Sequence, residues 1–449
     1  MPFLLQRLLR ACMGACALTL APACAPPPAV TPGPIDAPPV EAPTQLEPRA
    51  WTAESPAGDV VAWLRRGCER AAEGKAACVE RGLVALLEQA GVARTMEVLD
   101  SLAQSDVEVR ADGHALAHGL GMSAYRSPAT LAATFAACPP SQMSGCQHGV
   151  IQGYFLELAG QGREPGAVEL DALCAPHQAV PFTYYQCAHG IGHGLMAAYG
   201  NHLPSALAGC DRASDPDVRR TCHGGAFMEN IIQVTHPHHA TEGHARTQGH
   251  GAHAQHASAD AHAGHGAERG AWKALDPADP QYPCNAVDAR YGDACYDLQP
   301  SAVMFFAGGD VERTARACQD APREFAATCF MSLGREFTAW AVQDHVRTLD
   351  ACRRAGEASE ARARAWCEQG ALRTLMSQAA DPQEGIRFCR AVQGADAKRD
   401  CYRVVGEFVS MLAAGTQARG SHCRTAEPEF IATCRRGAGI DPSDSRDEE

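Results

Sequence analysis

The cysteines of this 449-residue chain most restrict how it can fold, because they recur in pairs. Three of the 21 lie within the first 24 residues, and the rest form nine neighbouring couples whose members are 8 to 15 positions apart. The couples are Cys68 and Cys78, Cys138 and Cys146, Cys174 and Cys187, Cys210 and Cys222, Cys284 and Cys295, Cys318 and Cys329, Cys352 and Cys367, Cys389 and Cys401, and Cys423 and Cys434. Most couples follow the preceding one after 22 to 28 positions, which predicts a repeated structural unit.

Two gaps between couples are longer, at 60 and 62 positions. The first contains a repeat without cysteines, since residues 112–119 read DGHALAHG and mimic residues 187–194, CAHGIGHG. Asp112 stands there at the position of the cysteine. The second gap contains a low-complexity insertion. We therefore count about ten units, with a period that fits two helices and two turns.

The surroundings of each couple indicate a helical hairpin. The first cysteine usually ends an Ala/Leu-rich stretch, and the second begins an apolar, helix-like one. A disulfide within each couple would join the two helices, although spacing alone does not fix the connectivity. Zinc ligation is the rival use, but the separations do not resemble CxxC knuckles. The predicted fold class is all-α, a right-handed α-solenoid of about ten disulfide-stapled αα-hairpin repeats.

This cysteine pattern resembles that of the secreted cysteine-rich helical-repeat proteins, the Sel-type relatives of tetratricopeptide solenoids. They also place one cysteine near the end of helix A and another near the start of helix B. The resemblance covers residues 60–437 in pattern only, and the couple spacing here is longer and less regular. The His-Gly motifs described below are not part of that family's pattern. The resemblance therefore implies a fold and hardly a function.

The N-terminus indicates export. Arg7 and Arg10 precede an apolar run that is too short to span a bilayer, which predicts a signal peptide over residues 1–23. Residues 18–24, LTLAPAC, resemble a bacterial lipoprotein processing site with its aliphatic residue, Leu20, one place early. We predict lipidation of Cys24, with ordinary cleavage after Ala23 as the alternative. A Pro-rich tether would follow over residues 24–56. The predicted location is the periplasm or an outer-membrane lipoprotein, with a lipid anchor as the sole membrane contact.

Histidines occupy one register in adjacent repeats. Two positions after the second cysteine, or after Asp112, three consecutive units carry histidine, and the next unit has one a place earlier. Four positions further on, two of these units carry a second histidine and the third carries Gln152. Residues i and i+4 share a helix face and can chelate one ion. The predicted metal ligands are His114, His118, His148, His189, His193 and His223. Imidazole suits copper, zinc, nickel or non-haem iron.

Glycines crowd the same helices at a cost in helix stability, which indicates close backbone approach or room for a ligand.

Two other interpretations of the histidine motifs remain open. The histidines would be structural if the protein were only an interaction scaffold. Alternatively, Glu229, two helical turns after Cys222, would act as a ligand or as a general base toward metal-bound water in a metalloenzyme. No motif supports a named reaction.

A histidine-rich insertion separates the first five units from the last five. It carries nine histidines between His236 and His265, among residues that cannot build a core. We predict a flexible insertion over residues 235–280 that assists metal capture. It divides repeats one to five, residues 57–234, from repeats six to ten, residues 281–438. An acidic tail is predicted over residues 439–449.

Composition limits the partners. The net charge is −13 and basic runs are absent from the sequence, which argues against nucleic-acid binding because that affinity depends on phosphate neutralisation. The later repeats are rich in charged residues and are a candidate surface for a protein partner, as in other solenoids. The leading hypothesis is an exported, lipid-anchored repeat protein that binds a transition metal ion.

Overall fold

The described chain is helical. The computed structural model describes residues 51–235 and 272–440, apart from residues 73, 342 and 360, and it contains no strand within those ranges. The signal peptide, Cys24, most of the tether, the nine insertion histidines and residues 441–449 of the acidic tail lie outside the described residues.

Two sets of helices alternate along most of the chain. The first helices of the hairpins are α1 (Ala57–Cys68), α4 (Leu131–Ala137), α6 (Ala167–Cys174), α8 (Leu203–Cys210), α12 (Val311–Gln319), α14 (His345–Glu357), α16 (Pro382–Ala391) and α18 (Thr416–Cys423). The second helices are α2 (Lys75–Ser105), α3 (Val107–Ala124), α5 (Gly145–Gly160), α7 (Pro181–Ala198), α9 (Pro216–Thr235), α13 (Ala326–Trp340), α15 (Ala361–Ala379), α17 (Ala395–Leu412) and α19 (Ile431–Gly437). Two short helices, α10 (Gly292–Tyr296) and α11 (Gln299–Phe306), depart from the pattern. The chain is a disulfide-stapled helical repeat solenoid.

A disulfide joins the two cysteines of each predicted couple. All nine bridges are present, with Cα–Cα distances of 5.4 to 5.6 Å. The within-couple pairing is therefore confirmed. Nine disulfides indicate an oxidising, exported environment. Among the described helices, none has the length and hydrophobicity needed to cross a bilayer.

The repeat without cysteines is also confirmed. Helix α2 kinks at Gly91, whose φ of 77° lies in the left-handed region that glycine tolerates. Residues 75–90 therefore complete the first hairpin, and residues 92–105 form a second hairpin with α3. Asp106 separates these two helices, and its side chain accepts hydrogen bonds from the backbone N–H groups of Glu108 and Val109. Capping and packing stabilise this unit in place of a disulfide.

Glycines allow the second helices of neighbouring hairpins to touch. A Cβ placed on Gly149 of α5 would lie 2.0 Å from the carbonyl oxygen of His118 in α3. A Cβ on Gly225 of α9 would likewise lie 1.9 Å from the carbonyl oxygen of His189 in α7. No side chain fits at such distances. Gly149 and Gly225 thus serve close backbone approach and set the spacing of the helices that carry the histidines, whereas a Cβ on Gly194 would meet the Phe155 side chain.

The sixth repeat departs from the hairpin pattern. Residues 272–288 form turns rather than a regular helix, and its second helix is interrupted at Leu298 between α10 and α11. Pro277, Pro280 and Pro283 account for the turns, because proline removes backbone donors. Residues 272–280, at the end of the predicted insertion, are packed against the fold: Leu275 is buried, and Trp272 donates to the side chain of Asn230 in α9.

Repeats that are distant in sequence also contact each other. Phe182, in the first turn of α7, packs against Phe408 of α17 with ring centroids 5.7 Å apart. Helix α15 contacts residues 142–144, which precede α5. The C-terminal repeats therefore pack against the repeats that carry the histidine motifs, and a purely nearest-neighbour solenoid would lack these contacts.

Candidate metal centre

Five of the six predicted ligands form one continuous cluster of rings. His114 and His118 lie on α3, His148 on α5, and His189 and His193 on α7. His148 is central and contacts the other four rings. The centroid distances are 4.8 Å for His114–His118, 5.8 Å for His114–His148, 5.2 Å for His118–His148, 4.7 Å for His118–His193, 5.1 Å for His148–His189, 5.3 Å for His148–His193 and 5.0 Å for His189–His193.

Hydrogen bonds hold one nitrogen of each ring. Four of the rings donate to oxygen atoms. His114 Nδ1 donates to the backbone carbonyl of Gln142 (2.7 Å), and His118 Nδ1 donates to Oε1 of Gln152 (3.4 Å). His148 Nε2 donates to Oε1 of Gln186 (3.0 Å), and His193 Nδ1 donates to Oε2 of Glu229 (2.8 Å). His189 has a hydrogen bond with the backbone of Thr221. Such acceptors fix the tautomer and orientation of a histidine and direct the lone pair of its other nitrogen away from them.

Three of the rings carry a buried nitrogen without a hydrogen-bond partner in the described part of the chain. These atoms are Nδ1 of His148, Nδ1 of His189 and Nε2 of His193. His193 is fully buried, and His148 is only 1% exposed. A buried unpaired polar atom costs about 1–3 kcal/mol. Coordination to metal ions would satisfy such atoms.

One end of the cluster already has the spacing of a three-ligand metal site. One ring nitrogen from each of His114, His118 and His148 can be chosen so that all three lie within 4.8 Å of one another. The first two are one helical turn apart on α3, and the third approaches from α5. This histidine triad is close enough to bind a metal ion.

Burial keeps the central rings neutral. Removal from water lowers the pKa of His148 well below its usual value, and the neighbouring histidines lower it further. The pKa of His189 is also well below the usual range, first because of burial and then because of His193. Neutral imidazole is the form that binds metal ions, so these rings have no proton to release on binding.

These pKa shifts predict an acid-sensitive fold. In the unfolded chain His148 and His189 have ordinary pKa values near about 6.5, so below that pH the unfolded state binds more protons than the folded state. The free energy of unfolding of the metal-free protein should therefore fall as the pH is lowered from 7.5 to 5.5, by up to about 1.4 kcal/mol per pH unit for each histidine. Urea unfolding at several pH values measures this. A His148→Gln/His189→Gln variant should show a smaller slope, and an equal slope would contradict the assignment.

The His223 ring lies outside the cluster of five, and Glu229 contacts that cluster through His193. The Nε2 atom of His223 is 2.9 Å from Oδ1 of Asp211, and its ring packs on Tyr291. Burial lowers the pKa of His223 although Asp211 opposes the shift. Within the described residues, its ring does not contact the other five. Glu229 is 5% exposed and accepts from His193, so it orients a candidate ligand.

Sequence reasoning missed the amide acceptors. Gln152 stands at the position where the adjacent repeats carry a second histidine, and that register was a usable signal. Gln186 directly precedes Cys187, and nothing in the sequence marks it as the partner of His148. The Gln142 carbonyl is a backbone group, which only the fold could place against His114.

Fold and site together define the class of molecule: a disulfide-stapled helical repeat protein with a buried histidine cluster. No family model, curated protein or solved structure matches the chain.

Proposed function

We propose that this protein is exported and binds a transition metal ion through its histidine cluster, with His114, His118 and His148 as the first ligands. The observation that carries the proposal is the set of buried, unpaired ring nitrogens in a cluster of five contacting histidines. The candidate donors are all imidazoles, and the cysteines within the described ranges are held in disulfides. Copper, zinc, nickel and non-haem iron remain the candidates.

The arrangement of the rings supports binding over a structural role. A histidine that serves packing alone normally has both nitrogens satisfied or one exposed to water. Here His148 Nδ1 has neither, while its Nε2 is held by Gln186. In a pure interaction scaffold with structural histidines, nothing would offset the free-energy cost of these buried, unpaired nitrogens. The metalloenzyme alternative, with Glu229 as a base, gains no support from the position of Glu229, which is hydrogen-bonded to His193.

Parts of the proposal concern residues beyond the described ranges. Lipidation of Cys24 would hold the protein at a membrane, and the insertion histidines would capture ions near α9, where the insertion begins. The periplasmic location and the Sel-type resemblance stay predictions from the sequence. The Cys24 assignment can be tested by expressing the protein in a bacterial host treated with an inhibitor of lipoprotein processing. Accumulation of unprocessed precursor would support the assignment.

Metal binding can be tested on a full-length variant in which the nine histidines between His236 and His265 are replaced by glutamine, called here the loop-His-free protein. This protein is purified without a histidine tag and dialysed against Zn(II) or Co(II). It should retain the ion in stoichiometric amount. A further His114→Gln/His118→Gln/His148→Gln substitution should remove that ion. His345, which lies beside Glu384 and Phe388, provides a matched control through His345→Gln. A loop-His-free protein that retains no metal would refute the proposal.

A further inference from the structure

The cluster is too long for one ion to reach every ring. His114 contacts His118 and His148, whereas His189 contacts His148 and His193. Among the described residues, the group of donor atoms that all lie within 4.8 Å of one another comprises His114, His118 and His148, and it does not include His189 or His193. Ligands of one ion must bring their donor atoms close together, so an ion held by this triad leaves His189 and His193 outside its ligand set.

The far end of the cluster repeats the chemistry of the near end. His189 and His193 are four residues apart on α7, as His114 and His118 are on α3, so each pair lies on one helix face. His189 Nδ1 and His193 Nε2 are both buried and unpaired in the described part of the chain. The triad at His114, His118 and His148 leaves these two atoms unsatisfied.

We infer that His189 and His193 hold a second transition metal ion beside the one held by His114, His118 and His148, so that the cluster is a dinuclear centre. This inference rests on the proposed function. His148 belongs to the first position, because its donor atom lies within 4.8 Å of those of His114 and His118. Its Nε2 is bonded to Gln186, so only Nδ1 remains for a metal and His148 does not also serve the second position. The second ion therefore has two protein ligands and keeps positions for water or an external ligand.

A tyrosine ring lies beside the second position. Tyr185, one helical turn before His189 on α7, stacks on the His189 ring with centroids 6.1 Å apart and planes 18° apart. Tyr185 is 44% exposed, although the histidines behind it are buried.

Charge makes the two positions unequal. The histidine donors are neutral, so the first ion repels the second. Glu229 supplies a negative charge through its hydrogen bond to His193, which favours the second ion. Arg335, which lowers the pKa of His189, opposes it, and Asp297 lies 3.6 Å from Arg335 and offsets that charge. We expect sequential binding, with the second ion at least tenfold weaker.

Stoichiometry separates this inference from the proposed function. Equilibrium dialysis of the loop-His-free protein against Co(II), followed by elemental analysis, should give two ions per chain. His189→Gln/His193→Gln should reduce the number to one, and His345→Gln should leave two. One ion in the parent protein would refute the second position and keep the proposed function, whereas no ion would refute both. Two ions retained after His189→Gln/His193→Gln would also refute the second position.

A measurement on the unsubstituted cluster guards against variants that fail to fold. Two Cu(II) ions in adjacent positions couple magnetically. Electron paramagnetic resonance of the loop-His-free protein should therefore show broadened lines and a half-field signal at two equivalents of Cu(II) that are absent at one equivalent. Two bound ions with the spectrum of isolated Cu(II) would place the second ion outside the cluster and overturn the inference.

Discussion

Replacing Gly149 by alanine is expected to destabilise the protein by about 3 kcal/mol, although alanine is the better helix former by about 1 kcal/mol. The added Cβ would lie 2.0 Å from the His118 carbonyl oxygen and 2.8 Å from the Met122 backbone nitrogen. No rotamer change relieves a clash with backbone atoms, so α3 and α5 must separate. The separation moves His118 away from His148, and metal affinity should fall with stability. Denaturant unfolding and Co(II) titration measure the two effects.

Gly160→Ala is the matched control in the same helix. Gly160 ends α5, and a Cβ there would meet no atom within 4 Å. We expect unchanged or slightly higher stability, by up to about 1 kcal/mol, and unchanged metal binding. Equal unfolding midpoints for the two variants would show that close contact between α3 and α5 is not what requires glycine at position 149.

Replacing both His148 and Gln186 by leucine should leave the metal-free protein at least as stable as the parent and should abolish metal binding by the triad. His148 Nδ1 is buried and unpaired, and its Nε2 bonds only to Gln186. Removing both partners of a buried hydrogen bond can be neutral or stabilising, whereas removing one leaves the other unsatisfied. We therefore expect the double variant to gain about 1–2 kcal/mol and His148→Leu alone to be less stable than the double variant.

The metal reverses this order. An ion present at 100 times its dissociation constant stabilises the folded protein by about 2.7 kcal/mol. The loop-His-free parent should show this increase in thermal unfolding experiments with Co(II), and His148→Leu/Gln186→Leu in the same background should show a smaller one. If the double variant were much less stable than the parent without metal, His148 would be a structural residue and the proposed function would lose its main support.

The histidine register was predictable because a repeat copies a local position. Equivalent residues of adjacent hairpins occupy equivalent places on stacked helices, so His114, His148 and His189 had to lie on one side of the stack. The same logic misplaced His223, which sits one residue earlier than the register. One residue is about a quarter of a helical turn, and that rotation turns the His223 ring to Asp211 and Tyr291.

Three features of this protein are predictable from the spacing of its residues: the nine cysteine couples, the hairpin without cysteines and the shared register of the histidines. These features depend on spacing along the chain, and spacing is preserved in neighbouring units. Three other features depend on how the helices pack: the ring nitrogens that stay unpaired, the orientation of the rings by Gln186 and Glu229, and the contact of Phe182 with Phe408 across distant repeats. Those outcomes depend on how far the helices approach and rotate against each other, and the backbone contacts at glycine set that distance in three dimensions.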